Sequence, residues 1–322
     1  MGSPDELFDR AEQLEESGDV SGAISSWREL AKIHPDASVF CRLARLAKKL
    51  GEMDEAEGAF RRAIQIDATL GPAYVGLASM AIDAGDYQQA EDLLTTALRH
   101  EKNEVAYCML GVALQGLEKN DEAGESFQRA LEIDPAFEEA YFNFGVLKRE
   151  SEPDRAQALF LKALECEPDY ADAHRELGWL LSKKGSLPEG EYHLRRAIEL
   201  EPNDAWAYIY LANHLWRQGD PVAAVTAYER AAEVAPDRAF PLWSLANFYE
   251  DRQEWEMARS LYERALELEP DDVVASMNFG RMLKRKGEPD TAKRYLEHAL
   301  FLDPNYEAAK TLLAELEHLR SS

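Results

Sequence analysis

One spacing constrains this chain more than any other property. The residue that closes each helical segment recurs at Pro35, Ala68, Lys102, Pro135, Pro168, Pro202, Pro236, Pro270 and Pro304, always 33 or 34 residues after the last. A period held over the whole length means tandem copies of one small unit, none able to bury its apolar face alone. The clearest copy is residues 205–236, where Tyr208, Leu211, Ala212 and Leu215 fall at i, i+3, i+4 and i+7. That spacing predicts one amphipathic helix. Gly219-Asp220-Pro221 then breaks the pattern, with Pro221 suited to the first turn of a second helix. Ala224, Tyr228 and Ala231 stripe that helix, and Pro236 stops it.

The other copies follow. A small residue recurs in each first helix at Ala11, Ala44, Ala78, Gly111, Gly145, Gly178, Ala212, Ala246 and Gly280. Twelve residues on stands Ala23, Ala56, Ala90, Ala123, Gly190, Ala224, Ala258 or Ala292, with one exception. Four further on come Trp27, Phe60, Leu94, Phe127, Phe160, Leu194, Tyr228, Tyr262 and Leu296. Small residues let paired helices approach closely, and large ones fill the space to the next pair.

This order of large, small, aromatic and proline positions at this period resembles the tetratricopeptide repeat (TPR). The resemblance covers residues 4–320: nine two-helix units ending near 35, 68, 102, 135, 168, 202, 236, 270 and 304, then a capping helix over 305–320. It implies an all-α fold, an α-solenoid in which antiparallel helix pairs form a right-handed superhelix, and one continuous array. It says little of function, because one scaffold serves many partners.

Two units depart from the pattern. Residues 71–102 end without a proline. In 138–168 only eleven residues separate Gly145 from Ala156, and the turn at 150–153 lacks glycine. The lost residue either shortens a helix as a tolerated deletion or changes the pitch between residues 1–150 and 154–322. At the N-terminus Leu7, Ala11 and Leu14 face inward under a polar wall of Asp5, Glu6, Asp9, Arg10, Glu12 and Glu15. In the last helix Leu312, Leu313, Leu316 and Leu319 share one side, with Glu315, Glu317, His318 and Arg320 over much of the rest.

Charge excludes whole classes of partner. With 36 Lys+Arg against 61 Asp+Glu the net charge is −25, which argues against nucleic acid and anionic membrane surfaces. No stretch has the length and apolarity of a membrane span, and no signal segment opens the chain. Met1-Gly2-Ser3-Pro4 has the form of a cloning remnant, which leaves a larger parent chain open. Cys41, Cys108 and Cys166 lie in different units and suggest no disulfide framework, so a reducing cytoplasm is the default expectation. No phosphate loop, metal motif or nucleophile elbow occurs. His34, His100, His174 and His193 read as surface or packing residues. Carboxylates such as Glu229, Glu233, Glu263 and Glu267 read as a solvated face. No cofactor, metal or enzymatic activity is expected.

The resemblance further implies that first helices line a groove, with five positions per unit pointing into it. In the best unit these are Trp206, Ile209, Asn213, Trp216 and Arg217. Carried through the eight units from residue 37, the same positions hold ten basic residues (Arg45, Lys48, Lys49, Arg149, Arg175, Lys183, Arg217, Arg281, Lys284 and Arg285) and six acidic ones (Asp83, Glu139, Glu150, Asp172, Glu250 and Asp251). A groove near +4 within a −25 chain predicts an acidic partner. Trp179, Trp206, Trp216 and Trp243 cluster there with Phe240. They are ready as binding anchors, or else simply pack between neighbouring first helices. Asn213 and Asn247 hold equivalent positions, each with a donor and an acceptor for a peptide backbone. The two-carboxylate clamp of chaperone-binding members is matched only by Asn247 and Asn278, since its lysine places hold Trp243 and Ala308.

The expected function is a non-enzymatic adaptor holding an extended, partly acidic peptide or partner segment. The expected contact residues are Arg175, Trp179, Trp206, Ile209, Asn213, Trp216, Arg217, Trp243, Asn247 and Arg281. The earlier groove, through Val75, Ile82, Val105, Cys108, Val112, Phe142 and Val146, is apolar instead. Those side chains either pack on one another or take a hydrophobic segment, such as an amphipathic helix or a second copy of the chain. Self-association through residues 75–146 is therefore an alternative. Another is a targeting module cut from a larger enzyme.

Overall fold

A computed structural model describes residues 3–321, with side chains through residue 316. Met1 and Gly2, and the side chains of Glu317, His318, Leu319 and Arg320, lie outside the described residues. Among the described residues every regular element is helical, and the chain divides at Pro168/Asp169 into two compact units.

The first unit contains α1 (Pro4–Glu16), α2 (Val20–Ile33), α3 (Ala37–Lys49), α4 (Met53–Ile66), α5 (Gly71–Asp83), α6 (Tyr87–His100), α7 (Glu104–Gly116), α8 (Asn120–Ile133), α9 (Glu138–Lys148) and α10 (Pro153–Cys166). The second contains α11 (Ala171–Lys184), α12 (Leu187–Leu200), α13 (Ala205–Gln218), α14 (Pro221–Val234), α15 (Phe240–Asp251), α16 (Trp255–Leu268), α17 (Val273–Lys286), α18 (Pro289–Leu302) and α19 (Glu307–Ser321). Within each unit a first helix packs on the second helix that follows it. Consecutive first helices also touch, α3 with α5 with α7 with α9, and α11 with α13 with α15 with α17 with α19. The first helices of each unit thus form one continuous face.

Local chemistry explains the boundaries. Asp86, Asp220 and Asp272 accept the backbone N–H groups of Gln89, Ala223 and Ala275, so the helices that follow begin with a filled cap. Between paired helices the chain turns through a left-handed residue, for example Gly185 and Gly219. At the same turn two other pairs carry Glu118 (φ 60°) and Gln253 (φ 61°), where a side chain costs stability.

The large positions read from the sequence are all core: Trp27, Phe60, Leu94, Phe127, Phe160, Leu194, Tyr228, Tyr262 and Leu296 are buried. Each removes a side chain worth roughly 2–3 kcal/mol from water. Opposite them the small positions are obligatory. A Cβ on Gly178 would stand 2.7 Å from Leu194 Cγ and 2.9 Å from its backbone nitrogen.

The one-residue deletion resolves as a shortened helix. α9 has 11 residues where α7 has 13 and α11 has 14, and its turn to α10 contains no left-handed residue. α9 still packs on α10 inside the first unit. At the chain ends, Leu7 and Ala11 are buried beneath Phe8 and Leu14, while Ala309 and Leu316 seat α19 on the core of the second unit. No helix among the described residues is long and apolar enough to cross a membrane. None of their His, Cys, Asp and Glu side chains form a group able to hold a metal ion.

Candidate functional site

All ten expected contact residues lie in the second unit, and six of them line one cavity of about 170 Å³. These are Trp206, Ile209, Asn213 and Trp216 from α13 with Trp243 and Asn247 from α15. Tyr210, Tyr228, Ser244, Phe248 and Asp251 complete the wall.

The aromatic side is built by mutual packing. Trp206 stacks on Phe240 with centroids 4.6 Å apart and planes 8° from parallel, and still exposes 39% of its surface. Trp243 meets Trp206 edge-on at 6.4 Å, and its indole N–H donates to Asp272 Oδ2 at 3.1 Å. Trp216 packs edge-on against Phe248 at 5.0 Å. Trp179 stands 6.0 Å from Tyr210, under the Lys183 ammonium at 4.4 Å. The two readings of these tryptophans are thus joined: they pack on neighbours and keep an accessible face. Ile209 differs. Only 2% of it is exposed, so it is core floor rather than a contact that reaches out.

The asparagines are oriented by tyrosines of the paired second helices. Tyr228 Oη donates to Asn213 Oδ1 at 2.7 Å, and Tyr262 Oη stands 2.6 Å from Asn247 Oδ1. Arg281 Nη2 also donates to Asn247 Oδ1 at 2.8 Å. A guanidinium has no acceptor, so that contact identifies the oxygen and leaves Nδ2 as the free branch. Each amide therefore keeps its donor, while the acceptor expected from the sequence is already used. The Asn–Tyr spacing of 15 residues occurs in both repeats, α13/α14 and α15/α16, and was the legible signal for this arrangement.

Glu250, expected on the groove surface, is instead fully buried. Its Oε1 accepts Arg285 Nη1 at 2.7 Å and Arg281 Nε at 3.3 Å, and its Oε2 accepts Arg281 Nη2 at 3.1 Å with Tyr262 Oη at 2.9 Å. Burial opposes the Arg281 charge, but the hydrogen bond and charge of Glu250 outweigh it and raise its pKa. Burial, then Glu250, pushes the Tyr262 phenol up.

The charge expectation needs correction. Of six basic groove positions in the second unit, four are held by carboxylates of the same chain. Arg175 pairs with Asp172 at 2.5 Å and Asp204 at 2.7 Å; Arg281 and Arg285 share Glu250; Lys284 pairs with Glu315. Arg217 Nη1 donates to the Ser182 carbonyl at 3.3 Å, and Lys183 rests on Trp179. Asp204 and Glu315 fall outside the five positions counted from the sequence, so the apparent positive groove is largely neutralised from within. Arg175, Trp179, Arg217 and Arg281 do not line the cavity.

His174 and His193 take the packing alternative, and buried His214 was not singled out from the sequence. His174 and His193 approach Nδ1 to Nδ1 at 2.8 Å, and burial followed by the charge of His174 lowers the His193 pKa to about 4. His214, 0% exposed, stands 2.7 Å from Ser182 Oγ through Nδ1 and 2.7 Å from Gln218 Nε2 through Nε2. Ser182 Oγ donates to the Gly178 carbonyl at 2.7 Å, so its hydrogen is spent and His214 must be the donor to it. The pair is a buried brace between α11 and α13, without an activated nucleophile.

In the first unit Val75 and Val105 line a separate cavity of about 480 Å³, with Phe60, Met109, Arg45 and Lys48. Cys108 is buried, with Asn143 Nδ2 3.6 Å from its sulfur, and Ile82, Val112, Phe142 and Val146 are half-buried. Most of this stripe therefore packs on the chain itself.

Comparison with known proteins agrees with this architecture. Models described as tetratricopeptide repeat match residues 8–70 and 209–273, 50–114 and 251–316, 105–137, and 159–192. No curated protein matches the sequence. Among solved structures, yeast Tom70 is similar at TM-score 0.61 and 15% identity, over 99% of this chain and 88% of that one. Cut9, from the APC/C hetero-tetramer Cut9–Hcn1, is similar at TM-score 0.53 and 11% identity, over 98% and 96% of the two chains. At these identities the likeness speaks for fold, and together with the repeat models in both compact units it makes this chain a member of the tetratricopeptide-repeat family.

Proposed function

We propose that the second unit is a non-enzymatic binding module that holds an extended segment of a partner protein along the face of α11, α13, α15 and α17. One observation carries the reading. Two asparagines one repeat apart, Asn213 and Asn247, each with its Oδ1 held by a tyrosine hydroxyl, line a cavity walled by Trp206, Trp216 and Trp243. Such a pair suits backbone carbonyls of an extended chain, and the tryptophans suit its side chains. Asn213→Ala with Asn247→Ala should weaken a bound peptide about tenfold to a hundredfold, from two hydrogen bonds at roughly 0.5–1.5 kcal/mol each, with helicity unchanged. Unaltered affinity at matched helicity would remove the asparagines from the account.

The first unit supports a second reading, self-association through residues 75–146, because Val75, Val105 and Met109 border an apolar cavity. Sedimentation over a wide concentration range tests it. A single monomeric species throughout would end it.

A further inference from the structure

We propose that the cavity between α13 and α15 receives a lysine or arginine side chain of the partner segment. This rests on the groove reading above and specifies its chemistry, opposite in sign to what the sequence alone suggests.

The walls are the first reason. Trp206, Tyr210, Trp216 and Trp243 surround the cavity, and aromatic faces carry negative quadrupole charge that attracts a cation. The molecule already uses Trp216 and neighbouring rings that way. Lys183 Nζ lies 4.4 Å over Trp179, Arg252 lies 5.9 Å from the Trp216 centroid, and Arg238 lies 5.9 Å from Phe240. Among the described residues, no cation of the chain stands over Trp206 or Trp243.

The second reason is the balance of charge. Asp251 lines the cavity with its carboxylate side chain 64% exposed, paired with Arg285 Nη1 at 3.3 Å. Asp272 draws on the Trp243 indole N–H from behind. Glu250, Asp251 and Asp272 stand near Arg281 and Arg285, both of which are committed to Glu250, while Arg252 beside Trp216 is paired with Glu254. Burial, and after it the charge of Asp251, pushes the Tyr228 phenol up. An incoming carboxylate would meet Asp251, and no lysine or arginine is among the described residues that line the cavity. At longer range a chain of net −25 steers basic segments toward itself.

The third reason is shape. A narrow cavity of about 170 Å³ with aromatic sides and a carboxylate admits an aliphatic stem with a charged tip. Asn213 and Asn247 border the same space, where they can hold the adjoining backbone.

Selection of a random dodecapeptide library on the full chain tests this. The selected peptides should share a lysine or arginine at a fixed position, and norleucine there should lower affinity about tenfold. Asp251→Asn should lower it about threefold, and Trp243→Leu about tenfold, each at matched helicity and melting temperature. A fixed position that is aliphatic or acidic, in peptides that still depend on Asn213 and Asn247, overturns the cation assignment and leaves the groove reading standing. Peptides that bind wild type and the Asn213→Ala/Asn247→Ala variant alike overturn both.

Discussion

The two units share a repeat and a packing scheme, yet their interiors differ in kind. In the first, the buried polar side chains are Ser26 and Ser126, and each hydroxyl bonds a carbonyl of its own helix, Gly22 and Glu122. In the second they are His174, Glu176, Ser182, His214, Ser244, Glu250, Ser276 and Asn278. Several of these bridge different helices: Ser182 with His214, Ser276 with His298, Glu250 with Arg281 and Tyr262. A polar interior costs desolvation and gains direction, because a hydrogen-bonded network admits fewer arrangements than packed methyl groups. The same period can therefore carry an apolar spacer or a groove with pre-set side chains. The candidate site lies over the polar interior.

The largest test of that contrast is Glu250→Ala. It strips Arg281, Arg285 and Tyr262 of a shared acceptor and should cost about 3 kcal/mol. Hydrogen exchange should accelerate across α15–α17 and stay unchanged in α3–α8. Adding Arg281→Leu to Glu250→Leu should restore part of the loss, since an apolar pair leaves less charge unsatisfied. If Glu250→Ala is silent, the network is ornament.

Acid separates the units next. His193 titrates near 6.5 when unfolded and about 4 when folded, because burial and then His174 oppose its charge. The unfolded chain thus binds the proton more readily, so this stability is complete above pH 6.5 and is lost as pH falls toward 4. His214 is lowered in the same direction, by burial first. The histidines of the first unit, His34 and His100, are both exposed. Between pH 7 and 5 the second unit should lose several degrees of melting temperature, and His193→Leu should flatten that dependence. Equal sensitivity in both units would contradict the assignment.

The smallest effect should be alike in both units. Glu118→Gly and Gln253→Gly each release a left-handed side chain and should stabilise by up to about 1 kcal/mol, read as a shifted denaturation midpoint. A large difference between them would mean that the turns, not only the interiors, set the units apart.

Most of the fold was legible because packing repeats with the chain: every large position from Trp27 to Leu296 proved buried. The candidate residues were legible by position, and the partners that hold them were not. Trp206, Asn213, Trp243 and Asn247 meet as their spacing implies, since consecutive first helices lie side by side. The groove carries less net positive charge than its facing positions imply, because Asp204 and Glu315, which pair with Arg175 and Lys284, stand outside those positions. Glu250 read as a groove-facing residue because nothing local marks a carboxylate whose arginines arrive 31 and 35 residues later. His214 was equally hidden, its serine lying 32 residues upstream.

The indole N–H resonances of the six tryptophans offer the most direct test, one in the first unit and five in the second. During titration with a library-selected peptide, Trp206, Trp216 and Trp243 should shift together while Trp27 and Trp255 hold still. A saturable peptide that moves only Trp27 or Trp255, or none of the six, would contradict a binding groove between α13 and α15.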